Sequence, residues 1–575
     1  MAENVQGSGG GSWSKWQIAL IFGAPLALGA TAAAVYCYSK SGGDSSQDDE
    51  KTRTNTPSGS GEKPVSASGD GGEMPIQPDQ TPLEKAQASK NRGNKYFKAS
   101  HYDQAIRCYT EAIDVCPVDK KADLATFYQN RAAAREQQGK YAEVISDCSK
   151  AIGLNPTYTK AMFRRAKAHD HNGDKLLCLE DTTAVCILEG FNHQQGMMLA
   201  DRMLKEIGKE KAKDRYKNRV PQLPSGQFIH SYFSSFSNDG ISLETDPPAV
   251  GDEAGTDEEL RCYLKAKKLF HTGKYDEVVQ NCIEEIESDG EYKYEALLMK
   301  ATFFLLMGQA EWAVPDLDQL IEKEDADKKL RANALIKRGS MHMQEGNSAP
   351  AMADFATAVQ LDPDNPDIYH HRGQLNLLLE KVDEAVKDFE KCNELNDDFG
   401  LAFAQHSYAK YRLSMLQQSP LQMQNAMQML DTCTTKFPKC AEGFALLAQA
   451  QNEQGLFAQA DENFKKAVKL EPDNPTAHVH RGLLHLNWKK DVQGSIDMIK
   501  EALKIDEKCD FAYETLGTIE VQRGNMDAAK EYFENAINLA RTEMEMTHLY
   551  SLSVAAEIQS KVANKLNIKP HMPFT

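Results

Sequence analysis

The sequence predicts an all-α protein: a helical-repeat superhelix in two arrays, preceded by one transmembrane helix and a disordered tether. Three observations lead there. From about Lys85 to Glu189, three consecutive 34-residue units fit one template, and the template resumes after about Glu258. An uncharged, mostly apolar run occupies 17–38. Between the two lies a stretch rich in Ser, Gly, Asp, Thr and Pro with almost no large apolar residue.

Residues 1–16 are Gly/Ser-rich and read as a short disordered N-terminus. The run 17–38 reads as a membrane anchor, since at about 1.5 Å per residue it just spans a hydrocarbon core of about 30 Å. Trp13, Trp16, Tyr36 and Tyr38 near its ends suit the two interfaces. A cleaved secretory signal is the competing reading, because Ala32-Ala33-Ala34 resembles a cleavage site. Against it stand the length of the run and the 12 Cys, which have neither C-x-x-C pairing nor zinc spacing and read as free thiols in a reducing compartment. Residues 39–81 cannot bury a core and are expected to form a flexible linker.

The template of the 82–192 domain has a small residue at position 8, bulky residues near 11 and 24, Ala near 20 and 27, and Pro at 32. Unit one supplies Gly93, Tyr96, Ala105, Tyr109, Ala112 and Pro117; unit two Ala132, Val144, Cys148, Ala151 and Pro156; unit three Ala166 and Gly173. This is the tetratricopeptide (TPR) pattern, a helix-turn-helix whose small residues let helices A and B approach closely. Five polar residues of the A helices share one register: Lys90 and Asn94, then Asn130, then Lys160 and Arg164. Residues four apart lie on one helix face, and stacked A helices line the concave side of such an array. The five therefore form a donor-rich cradle suited to two carboxylates, such as those of a peptide ending in Asp. The bland alternative is a solvated cationic face, and the two Asn argue against it.

Those five residues resemble the two-carboxylate clamp of TPR co-chaperones, which grips the acidic C-terminal tails of the Hsp70 and Hsp90 chaperones. Charge agrees. The chain is formally -18, which argues against nucleic-acid binding, yet residues 82–192 hold 17 basic and 14 acidic side chains.

Residues 193–256 are expected to hold a charged capping helix at 194–217 with Met197, Leu199, Met203 and Ile207 inward, an aromatic junction, and an acidic linker from 237. Phe228, Tyr232 and Phe236 recur every four residues, which predicts one apolar stripe buried at a domain junction. Residues 257–542 read as a second array of about eight repeats, marked by Gly339, Phe355, Gly373, Phe389, Phe464, Gly517 and Phe533. Extra residues at 411–425 predict a longer loop inside one unit, and 543–575 a capping helix and tail. The clamp residues do not recur here. The groove-facing positions become Ile336, Met343, Leu377, Val479, Leu483 and Leu486, beside Glu442 and Glu514, an apolar surface with acidic points suited to unfolded client polypeptide. The alternative is that these side chains pack against neighbouring helices. Arg131, Arg338, Arg372 and Arg481 precede the small residue of their units and read as a repeated structural ion pair.

The order of these modules, the Phe228 to Phe236 stretch, and the segments Leu335-Ile-Lys-Arg-Gly-Ser340 and Asp510-Phe-Ala-Tyr-Glu514 resemble the seventy-kilodalton receptor family of the outer mitochondrial membrane translocase, the TOM complex. The resemblance implies an outer-membrane protein with its N-terminus in the intermembrane space and its body in the cytosol. It implies hydrophobic precursor proteins, such as metabolite carriers, as clients handed over by Hsp70 or Hsp90, with other TOM subunits as partners. It implies no catalytic residue, cofactor or metal, because the chaperone hydrolyses the ATP. An enzyme with a targeting TPR finds no room, since no P-loop, G-x-S-x-G or metal-spaced cluster occurs. A membrane-anchored TPR co-chaperone at the endoplasmic reticulum would carry the same clamp and stays open at this point.

Overall fold

The structure, a computed structural model of the 575-residue chain, describes residues 81–237 and 262–567. The expected anchor at 17–38, most of the tether and the linker at 238–256 lie outside the described residues. Among the described residues, no helix is long and apolar enough to cross a membrane. The described chain is a succession of α-helices divided into two compact units, one holding 81–203 with 561–567, the other 204–237 with 262–560.

In the first unit, helix pairs follow one another: α1 (Pro82–Lys98) with α2 (Tyr102–Val115), α3 (Lys121–Glu136) with α4 (Tyr141–Leu154), and α5 (Thr159–Asn172) with α6 (Lys175–Leu188). Local chemistry sets the boundaries. Thr81 and Glu84 form a capping box at the start of α1, with Pro82 in the first turn. Gly173 closes α5 in the left-handed conformation. The template glycine does what the spacing predicts: a methyl group on Gly93 would lie 2.7 Å from Cε1 of Tyr109, so the bare backbone lets the α2 ring lie flat on α1. The same small-on-aromatic contact recurs at Gly373 on Phe389 and Gly517 on Phe533.

The helix α7 (Gln194–Lys217) begins in the first unit and ends in the second, the division falling after Met203. Met203 and Ile207 are buried, and Met197 and Leu199 half-buried. Next comes α8 (Gly226–Ser234), capped by Ser225. Its deepest residues are Ile229 and Phe233, one step round from the predicted stripe; Phe236 is also buried, while Phe228 and Tyr232 are half-buried. The stripe lies on the second-unit side of the division. It packs inside the second unit, where the rings of Phe236, Tyr232 and Phe233 surround the buried Nζ of Lys337 at 4.0, 5.0 and 5.4 Å, and Arg541 lies 4.0 Å over Phe228.

Eight further pairs follow: α9 (Cys262–His271) and α10 (Val278–Glu287); α11 (Lys293–Leu306) and α12 (Ala310–Glu322); α13 (Lys328–Gln344) and α14 (Ser348–Leu361); α15 (Pro366–Leu378) and α16 (Val382–Leu395); α17 (Gly400–Leu416) and α18 (Pro420–Lys436); α19 (Ala441–Glu453) and α20 (Phe457–Leu470); α21 (Pro475–Lys489) and α22 (Val492–Ile505); α23 (Asp510–Arg523) and α24 (Met526–Leu539). The long helix α25 (Glu543–Leu566) closes the succession. The extra residues of the α17/α18 unit lengthen both helices to 17 residues instead of making a longer loop. The run Tyr411 to Leu416 holds no helix breaker, so the helix continues to Leu416, and Pro420 starts the next.

The recurring arginines are structural, as their spacing predicts. Arg131, Arg338 and Arg372 each grip an aspartate sixteen residues on, in helix B of the same unit: Asp147 at 2.7 Å, Asp354 at 2.6 Å and Asp388 at 2.6 Å. Arg165 does the same with Asp181 at 2.7 Å. Arg481 departs from the pattern, reaching back to Asp461 of the preceding unit at 2.7 Å.

Candidate functional site

Lys90 and Asn94 stand on α1, Asn130 on α3, and Lys160 and Arg164 on α5, the A helices of the three first-unit pairs. Lys160 is exposed and the other four are half-buried. Lys90, Asn130 and Lys160 make no hydrogen bond or ion pair among the described residues, so their donors face outward unspent. Asn94 is oriented. The Tyr109 hydroxyl donates to its Oδ1 at 2.8 Å, leaving the amide NH₂ as the free end.

Arg164 is held by a residue that sequence spacing does not reveal. Its Nε donates to Glu136 Oε2 at 2.7 Å, while Lys167 Nζ donates to the other oxygen at 2.5 Å. Burial pushes the Glu136 carboxyl up, but the hydrogen bonds from Lys167 and Arg164 outweigh it and hold it below its ordinary range. Nη1 of Arg164 is buried without a hydrogen-bond partner. A half-buried guanidinium, anchored on one edge and unsatisfied on another, keeps hydrogen-bonding capacity of the kind that pairs with carboxylates.

The eight positions read as a client groove divide. Ile336, Met343, Val479 and Leu486 are buried core side chains in the α13/α14 and α21/α22 cores, each less than 8% exposed. For these four the packing alternative holds: their register turns them toward neighbouring helices and not into a groove. Leu377, Leu483, Glu442 and Glu514 are half-buried, and Glu514 accepts a hydrogen bond from His548 at 3.1 Å. Glu442 lines a small crevice with Gln449, Glu471, Asn474, Thr476 and His480. Its carboxyl is pushed up to about 7 by burial, with Glu471 adding repulsion. Asn474 and Thr476 are shared with a second crevice lined by Phe228, Lys508, Asp510, Phe511 and Arg541.

No group of three or more His, Cys, Asp or Glu positioned for a metal occurs among the described residues, and all eleven described cysteines are free.

Family models of the tetratricopeptide repeat match residues 86–118, 332–365, 366–399, 445–508 and 512–543. The mitochondrial import receptor subunit TOM70 of Homo sapiens is 51% identical over 97% of this chain and 94% of its own length. The chain belongs to the TOM70 family of mitochondrial import receptor subunits. The Rattus norvegicus TOM70 is 50% identical over 98% of this chain and 94% of its own, and the TOM70 of Saccharomyces cerevisiae strain S288c 25% identical over 83% and 80%. The crystal structure of yeast Tom70 aligns with 83% of this chain and 96% of that chain, at 22% identity and a TM-score of 0.47. As a TOM70-family member the chain has a receptor role in mitochondrial import, exercised through an all-helical TPR superhelix.

Proposed function

We propose that the first array grips the acidic C-terminal tails of Hsp70 and Hsp90, and that the second array receives hydrophobic precursor proteins, such as metabolite carriers, for passage through the TOM complex. Lys90, Asn94, Asn130, Lys160 and Arg164 supply the donors to a terminal and a side-chain carboxylate. The chain sits at the outer mitochondrial membrane on its 17–38 anchor, with the N-terminus in the intermembrane space and the TPR body in the cytosol. The observation that carries this reading is the donor set: Asn94 with its NH₂ end free on the first A helix and Arg164 with an unsatisfied guanidinium donor on the third. The Glu442 crevice, with Leu377 and Leu483 as half-buried apolar contacts, is the surface offered to precursor. Docking the chaperone raises the local concentration of the precursor it releases, so capture needs no tight second site. Membership of an import-receptor family favours mitochondria over the endoplasmic reticulum.

The test is a titration of the full chain in detergent micelles with a synthetic acidic peptide ending in Asp, against the same peptide with its C-terminus amidated. Wild type should bind at micromolar strength, the amidated peptide weakly, and Arg164→Ala should lose about 2 kcal/mol, as loss of a charged partner to a carboxylate does. Equal, weak binding by wild type and Arg164→Ala would leave the cradle a solvated face.

A further inference from the structure

Glu136 lies at the last position of α3, has an 18% exposed side chain, and carries a negative charge beside a cluster of cations. In a groove meant for an acidic peptide such a charge ought to weaken binding, by simple Coulomb repulsion. Its geometry argues the other way. One carboxylate oxygen takes the Nε–H of Arg164 at 2.7 Å, and the other takes the ammonium of Lys167 at 2.5 Å. Neither oxygen meets the Nη1 donor of Arg164, which stays buried and unpaired. The guanidinium is a flat fork, and its orientation is set once Nε is bound on one side. Long cationic side chains otherwise lose rotamer freedom when they grip a ligand, and a fixed one has already lost it. Lys167 adds a second point of attachment and also lies 5.6 Å from the centroid of Phe163, so both cations are tied to the α3/α5 face.

We infer that Glu136 is a positioning residue of the peptide groove, holding Arg164 by its Nε edge so that the plane of the guanidinium is fixed before a carboxylate arrives. This rests on the clamp reading above. It gives an acidic residue a favourable role in an anion site, and the sign of its effect separates positioning from charge.

The experiment is the same peptide titration on the full chain, with Glu136→Gln, Arg164→Ala and the double variant, each checked for unchanged helicity and thermal midpoint. Positioning predicts that Glu136→Gln binds about five- to tenfold more weakly, the loss expected for a hydrogen bond that pre-orients a charged group. In the Arg164→Ala background the same substitution should have no effect or strengthen binding, because nothing is left to position. Glu136→Asp, which keeps the charge and shortens the reach, should weaken binding as well. A Glu136→Gln protein that binds equally or more tightly, while Arg164→Ala still loses affinity, overturns the inference and leaves the clamp intact. A wild type that fails to distinguish the free from the amidated peptide removes the clamp reading itself. Should Glu136→Gln misfold, Glu136→Asp and the Arg164→Lys/Glu136→Asp pair decide the same question through their coupling.

Discussion

At the residue scale, one glycine connects packing to recognition. Gly93 touches no ligand position, yet a methyl group there would press to 2.7 and 2.9 Å on the ring of Tyr109, which is only 2% exposed. Overpacking of this kind costs about 1–3 kcal/mol. The ring would have to shift, taking its hydroxyl away from Asn94, so Gly93→Ala should lower both the thermal midpoint and the affinity for an acidic peptide. Gly373→Ala, which meets Phe389 at 2.9 Å in the second unit, should lower stability and leave peptide affinity unchanged. Template positions were legible from spacing because the 34-residue period carries them. The partners of the five donor residues were not: Tyr109 reaches Asn94 across 15 residues and Glu136 reaches Arg164 across 28, from one helix to another.

At the scale of the helix pair, the Arg–Asp bridge sixteen residues apart joins A to B. Its weight depends on burial. Asp147 has a 1% exposed side chain and binds both Arg131 and Arg135, so Asp147→Ala strips Arg131 of its ion pair and leaves Arg135 with Glu143 alone. Breaking a buried pair on one side costs about 3–5 kcal/mol. The Arg92–Glu111 pair joins the equivalent helices of the first repeat but is about half exposed on both sides, and Glu111→Ala should cost about 0–1 kcal/mol. Urea unfolding of the two variants should separate them clearly. The element scale also corrects the groove: Leu486, at 7% exposure, is a core residue whose replacement by Glu would unfold its repeat, so any test of precursor binding belongs at Leu483 or Glu442.

For the whole molecule, the second array holds titrating groups that set a pH window. Burial pushes His370 down to about 3, and His406 and His480 to about 4; His371 is also lowered, by burial and then by His370 and Lys337. An unfolded imidazole takes its proton near 6.5 and these folded ones do not, so the stability they contribute is complete above about pH 6.5 and is lost as pH falls toward 4. Raised carboxyls oppose them, Glu295, Asp316 and Glu453 among them and Glu442 and Asp510 most strongly. Burial raises Glu442 to about 7 and Asp510 to about 6, so folding gains as pH falls through that range. The departures of His370, His406 and His480 from 6.5 each match or exceed those of Glu442 and Asp510 from the ordinary carboxyl values, and His371 adds to them. The thermal midpoint of the second array should therefore fall steadily below pH 6. Glu442→Gln should raise it at pH 8, where the buried charge is costly, and change it little at pH 4, where Glu442 is mostly neutral in both states. An increase at both values would place the effect in packing instead.

The helical class, the repeat period, the contact of small on aromatic residues and the family were written in the sequence, because each rests on residue type at fixed spacing along one chain. The same holds for the five donors, which share a register that counting alone reveals. Burial was decided elsewhere. Ile336, Met343, Val479 and Leu486 share the helix positions of a concave face, yet neighbouring helices close over them, and the depth of closure depends on how successive pairs stack. The α8 stripe likewise turns by one residue, since Ile229 and Phe233 are buried within the cluster of α9 and α11 while Phe228 and Tyr232 pack against it half-buried. Which donors are spent is tertiary for the same reason: Glu136, Lys167 and Tyr109 act across helices, and linear spacing carries no record of which side chains meet there.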